Sequence, residues 1–364
     1  MRHVLVLAGW LVGTLTGLIV LAYAPKSWYC APPPVTDMRF ISDGSSVAVD
    51  RLNGYGREVW SLDGGAFQSA DYHAALPYLP HALAYSADQK RVLLSSDDGT
   101  AEILDQESGK ELQRFPFHAH NPVSLVAFAP DEKTILIAGT TDHMAEVRDA
   151  QSGDLLQSLT NYPNLVMSIA YSPDSRTIAT GNTSSSIWLW NAGTGETIQT
   201  LISRTNPVIK LLFSPDGSCL LTADAGRTVQ VWDVRSGRLL FSFFTAYPIT
   251  QAAFSPDGRF IATASYRFLQ LWDGQTGAAI TTRGLRADWV SSLAYAPDGK
   301  TLAIGVSDEP TLIDAQTGET IRVLCPRTLG DDMALAGGLL VADMGGFAAL
   351  YVWRLWRKDC MYSA

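Results

Sequence analysis

The chain has 364 residues, 47% of them hydrophobic and 17% charged, with a formal charge of −9. An acidic chain without clustered Lys and Arg lacks the cations that displace counterions from phosphates, which argues against a nucleic-acid partner. Four cysteines are compatible with an oxidising compartment and do not establish one.

In chain order, the first element is an apolar helix. Residues 4–23 carry no charge and follow Met1-Arg2-His3. A helix of that length spans about 30 Å, the thickness of bilayer hydrocarbon. Its eleven Leu, Val and Ile residues contribute about −3 to −7 kcal/mol on the insertion scale. Residues 1–24 are therefore expected to be an uncleaved signal anchor, a single transmembrane helix. The rival is a cleaved secretory signal at Ala22-Tyr23-Ala24, which would release a secreted protein; Pro25 just after that bond makes a poor protease site. Gly9, Gly13 and Gly17 lie four apart on one helix face, which reads either as a homodimer contact or as a chance stripe. Residues 25–34, with Ala31-Pro32-Pro33-Pro34, form a stiff spacer. The three-residue leading tail places the remainder outside the cytoplasm, although Lys26 and Arg39 nearly balance Arg2 and the amino terminus in the positive-inside count.

From residue 35 onward the chain repeats. Ala129-Pro130-Asp131, Ser172-Pro173-Asp174, Ser214-Pro215-Asp216, Ser255-Pro256-Asp257 and Ala296-Pro297-Asp298 each end an apolar run, and Ser86-Ala87-Asp88 matches without the Pro. From Asp88 the steps are 43, 43, 42, 41 and 41 residues, the spacing of a repeat array. A second anchor keeps pace: Asp105 to Gly109, Asp149 to Gly153, Asn191 to Gly195, Asp233 to Gly237, Asp273 to Gly277 and Asp314 to Gly318. In the unit around Asp257, four short apolar stretches alternate with Asp/Gly turns, predicting four antiparallel strands, one propeller blade.

Trp232-Asp233 and Trp272-Asp273, with Trp190-Asn191 as a near match, resemble the dipeptide of the WD-repeat family, and the Ser-Pro-Asp-Gly turn is also typical of it. The resemblance implies an all-β fold, a single closed β-propeller of four-stranded blades over residues 35–364, behind the N-terminal helix. The Gly-His pair that opens many such repeats is missing, so the hydrogen-bond network built on that His is not expected. Strand-like runs at 35–41 and 46–49, and at 339–342 and 350–353, supply two flanking units. The count therefore favours eight blades, with seven the alternative. Arg354, Arg357 and Lys358 then read as a charged guard on an edge strand.

No zinc spacing, haem motif, phosphate loop or nucleophile elbow occurs, so no metal, cofactor or catalytic residue is expected. His118 and His120 lack further ligands, and Asp97-Asp98-Gly99 suits a hairpin turn better than a calcium loop. Asp314 to Glu319 resembles part of the repeat of eight-bladed quinoprotein dehydrogenases, but Thr320-Ile321-Arg322 lacks the docking Trp of that family. An extracytoplasmic enzyme or small-ligand sensor is the alternative reading. The favoured one is a non-enzymatic scaffold for a protein or peptide. Loops leading into the innermost strands place Tyr78, Asn121, Asn164, Asn206, Tyr247, Asp288 and Trp289 at one mouth of the channel, with Tyr266 and Arg267 aimed there too. Asn, Tyr and Trp are the residues of a recognition surface, although Asn also makes turns. On an eight-unit ring Cys30 and Cys360 fall near one junction, where they are either a disulfide or free thiols. Cys325 competes for Cys360, and Cys219 reads as a buried free thiol.

Overall fold

The structure is a computed structural model that describes residues 35–324, apart from 41–43, 52–56, 63–66, 71–82, 96–97, 107, 118–122, 140–143, 161–163, 204–205, 286–289 and 307–309. The expected helix at 1–24, the spacer, and the runs at 339–342 and 350–353 lie outside the described residues. Among those described there is no helix, and so none long and apolar enough to cross a membrane.

The described residues are all-β, in seven four-stranded antiparallel sheets at 35–70, 83–116, 123–159, 166–202, 208–244, 249–284 and 290–323. Within each, strands pair with their sequence neighbours. Multiple short meanders of this kind are consistent with a propeller. Second strands such as Thr134–Gly139, Cys219–Asp224 and Phe260–Ser265 are buried along nearly their whole length. Sheets cover them on both faces, so they read as continuous apolar and small runs without alternation. Fourth strands such as Thr197–Ile202 and Leu239–Phe244 are edges that expose most residues and bury one anchor, Leu201 or Phe243.

The core is divided among the seams. One cluster joins the second and third sheets through Leu93, Ile103 and Phe115 on one side and Val123, Ile135 and Ile137 on the other. Others join the third to the fourth, the fourth to the fifth, the fifth to the sixth and the sixth to the seventh. A further cluster joins the seventh sheet to the first: Ala296, Ala303, Leu312 and Leu324 pack on Met38, Phe40, Val47 and Val49. The first sheet also meets the second, where Gln89 Nε2 donates to the Phe40 carbonyl (3.0 Å) and the Arg39 guanidinium lies 3.1 Å from the Tyr85 ring centre. The expected count of eight would place another blade between the seventh sheet and the first, and its strand-like runs at 339–342 and 350–353 lie outside the described residues. The seventh and first sheets share a core directly.

The Ser-x-Asp anchors are hydrogen-bonded turns. Ser86, Ser172, Ser214 and Ser255 are buried, and each hydroxyl donates to Asp88, Asp174, Asp216 or Asp257 at 2.6 Å. The same oxygens accept the backbone N–H of Arg91, Thr177, Cys219 and Phe260 at 2.9 Å, closing the hairpin. These serine bonds are the main cause that holds the four carboxyls below their ordinary pKa. The residue after each Asp has a positive φ, which glycine tolerates best. Gly44, Gly217, Gly258 and Gly299 fill it in four sheets. A Cβ on them would stand 3.2, 3.4, 3.9 and 3.6 Å from Pro297, Pro173, Pro215 and Pro256 of the preceding sheet. The seventh-to-first seam thus repeats the contact of three other seams.

Candidate functional site

The tryptophans that carry the family resemblance are structural. Indole N–H groups of Trp190, Trp232 and Trp272 donate to Thr180, Thr222 and Thr263 of the adjoining second strand at 3.0, 3.1 and 2.9 Å. A threonine hydroxyl thus satisfies each buried indole. The acids and amide that follow serve turns: Asn191, Asp233 and Asp273 accept backbone N–H groups two or three residues on.

Three of the seven mouth residues expected in loops leading into the innermost strands are described, and they occupy equivalent positions. Asn164, Asn206 and Tyr247 each stand two residues before a first strand, Val166–Tyr171, Val208–Phe213 or Ile249–Phe254. Strand register fixes the end they occupy. Val166 pairs with Asn182, Val208 with Asp224 and Ile249 with Ser265, the last residues of the second strands. Tyr266 and Arg267 form the turn between Ser265 and Phe268, so they lie at the same end of the sixth sheet as Tyr247. Tyr78, Asn121, Asp288 and Trp289 lie outside the described residues. So do Cys30, Cys325, Cys360, His118, His120, Gly9, Gly13 and Gly17.

The members differ in what their side chains do. Asn206 Nδ2 donates to Asp224 Oδ2 at 3.1 Å, while Asp224 Oδ1 accepts the Thr228 N–H at 3.0 Å. Asp224 is buried, so Asn206 spends its amide pinning a turn within its own sheet. Asn164 is half-buried. Tyr247 is different. Its carbonyl accepts the Thr245 hydroxyl at 2.6 Å, and its ring stacks on Phe268 with centroids 5.5 Å apart and planes at 7°. The stacking holds the ring while leaving 48% of the residue exposed, and Tyr266, at the same end of the sixth sheet, is 51% exposed.

Sequence reasoning missed Phe244, which is 72% exposed at the end of the fourth strand before Tyr247. In a run of Leu, Phe and Phe it resembles core. The signal was its repeat equivalent Ile202, also exposed at the end of its fourth strand. Phe244 pairs with Thr228, the first residue of a third strand, which puts it at the same end of the fifth sheet. Large apolar groups on two consecutive sheets therefore face water at one end.

The opposite end carries a cleft of about 540 Å³ between the fifth and sixth sheets, with Cys219, Leu240, Phe241, Phe254 and Arg259 in its walls. Cys219 is a free thiol and half-buried. Among the described residues no group of His, Cys, Asp and Glu could hold a metal ion.

Three consecutive stretches of the chain match a WD40 repeat model. The WD domain, G-beta repeat family matches residues 153–191, 195–233 and 237–273, each match running from one second-anchor turn to the next. Human WD repeat and SOCS box-containing protein 1 is 29% identical over 134 residues, 36% of this chain and 32% of that protein. The guanine nucleotide-binding protein subunit beta of Schizosaccharomyces pombe is 29% identical over 97 residues, 27% of this chain and 31% of the relative. WD repeat-containing protein 82 of Drosophila melanogaster is 36% identical over 111 residues, 29% of this chain and 34% of the relative. The chain spans about a third of the length of the relatives it matches. WD-repeat proteins generally act as scaffolds that bind protein partners.

Proposed function

We propose that the seven sheets close into one propeller, tethered to a membrane by residues 1–24 and lying outside the cytoplasm. The propeller serves as a non-enzymatic scaffold that binds a protein or peptide at the end carrying Tyr247, Tyr266 and Arg267. One observation carries the docking role: Phe244, Tyr247 and Tyr266 expose aromatic area at one end of two consecutive sheets. Aromatic anchors dominate binding energy at protein interfaces, and a ring already held by stacking loses little freedom on docking. Closure is supported by the apolar seam between the seventh and first sheets.

The test is comparative recovery of partners from detergent-solubilised membranes, quantified by mass spectrometry, for the wild type and a Phe244→Ser, Tyr266→Ala variant. A hot spot is worth about 2 kcal/mol or more, so recovery of true partners should fall at least about tenfold. Equal recovery by a variant with unchanged thermal unfolding moves the docking site off this end.

A further inference from the structure

We propose that the partner docks as an extended polypeptide strand along Leu239–Phe244, adding a further strand to the fifth sheet and lodging one large apolar side chain in the cleft beside Cys219. The proposal rests on the protein- or peptide-binding role given above and specifies the form the partner takes. Three observations carry it, and the first is an unguarded edge. Leu239–Phe244 closes its sheet and pairs only with the third strand, Thr228–Asp233. Five of its six residues are large and apolar, and Ser242 alone is polar. Other edges carry the charges or proline that blunt strand addition: Glu111, Arg114 and Pro116 in the second sheet, Arg283 in the sixth and Arg322 in the seventh.

The second observation is the direction of the main chain. The Thr245 N–H donates to the Arg227 carbonyl at 2.9 Å, and main-chain groups in an antiparallel ladder alternate sides. Phe241 and Phe243 therefore turn their N–H and C=O groups toward the third strand, and Ser242 and Phe244 turn theirs away from the sheet. Such a row is matched by the backbone of another strand, which covers this edge with about six residues, or about 20 Å. Leu239, Leu240 and Phe244 are exposed along it. Leu240 is the extra residue of a bulge opposite Trp232, which takes it out of the ladder.

The third is the cleft at the far end of the same edge. Gln113, Gln157 and Gln199 hold the third place of earlier fourth strands, and each donates to a carbonyl in the next sheet's turn. Phe241 holds that place in the fifth sheet and lies against the Gly277 turn. A phenyl ring cannot bond the turn carbonyls, and Leu240, Phe241, Phe254 and Cys219 line a cleft of about 540 Å³ at that seam. A mostly apolar hollow of this size takes a leucine or phenylalanine side chain. Strand addition draws affinity from main-chain bonds and specificity from pockets for alternate side chains. Phe244, at the other end of the strand, belongs to the docking end. One extended segment thus reaches from the exposed aromatics to the cleft.

The probe is a synthetic pool of random peptides of about ten residues, long enough to cover the edge, offered to the full chain in detergent micelles. Retained sequences are read by mass spectrometry and their Kd values measured singly. They should alternate apolar and polar residues, and bind Ser242→Pro at least about tenfold more weakly than the wild type. That variant removes an outward N–H and no ladder bond, so its unfolding midpoint should match the wild type. Ser242→Lys, a charge on the edge, should weaken the same peptides. Phe241→Gln should close the cleft and erase the preference for one large apolar residue. Undiminished binding by both Ser242 variants overturns the strand. If those peptides are instead lost in Tyr266→Ala, the docking end stands and the strand alone fails; an empty selection fails both. A wild-type dimer that dissociates in Ser242→Lys gives the edge to a second copy and overturns a partner strand there.

Discussion

Tyr171 and Tyr295 occupy the same position, the last of a first strand, and differ in what they meet. The Tyr171 hydroxyl lies 3.1 Å from Thr134 Oγ1 in the preceding sheet. The Tyr295 hydroxyl is buried with no hydrogen-bond partner among the described residues. Thr134 opens the second strand of its sheet, and the equivalent residue of the sheet preceding Tyr295 is Phe260, which offers no acceptor. Burial pushes both phenols well above their ordinary range, so each stays neutral and the difference is one of hydrogen bonding alone. Tyr171→Phe should cost about 1 kcal/mol, whereas Tyr295→Phe should be neutral or stabilise by up to about 1 kcal/mol, because it removes a buried unsatisfied donor. Urea denaturation of the two variants beside the wild type decides; a Tyr295→Phe loss as large as that of Tyr171→Phe would show an unrecognised partner. Such a difference was not legible in the sequence. Both positions show the same aromatic at the same place in the repeat, and what separates them is a residue in the neighbouring unit.

Among elements, a glutamine latch ties successive sheets. Gln113, Gln157 and Gln199 are each the third residue of a fourth strand, and each Nε2 donates to a carbonyl in the following sheet's turn: Ser152 (3.1 Å), Gly193 (2.8 Å) and Val234 (2.6 Å). The fifth sheet breaks the series with Phe241, and the cleft beside Cys219 opens at that seam. The sixth restores a tie from another position, through Arg283 to the Gly318 carbonyl. Gln199→Ala should cost about 0.5–1.5 kcal/mol, the net worth of one hydrogen bond, and amide exchange should rise on both sides of that seam. Exchange unchanged at 197–202 and 234–237 would show that the latch bears no part in holding the sheets. The strands themselves were legible, since their turns recur at a fixed period and turn chemistry is local. Their latches were not, because a side chain that reaches a carbonyl one unit ahead leaves no local pattern.

For the whole molecule the period set the unit but not the number of units. Dividing length by repeat left room for eight, and the short apolar runs at 339–342 and 350–353 have a composition that cannot distinguish a buried strand from other apolar segments. The proposed ring of seven draws on the direct seam between the first and seventh sheets, in which the first sheet covers Ala296, Ala303 and Leu312. A chain of residues 25–324 should then keep every seam and unfold with a midpoint within a few degrees of a 25–364 chain in the same detergent. Removing the seventh sheet as well, by ending at 284, uncovers Met38, Phe40, Val47 and Val49 on one side and the Ala264, Leu269 and Leu271 face on the other. Each large apolar side chain returned to water costs about 1.5–3 kcal/mol, and the total marginal stability of a domain is only about 5–15 kcal/mol. The 25–284 chain should therefore lose its cooperative transition altogether. If 25–324 fails in the same way, residues beyond 324 complete the ring, and the count returns to eight.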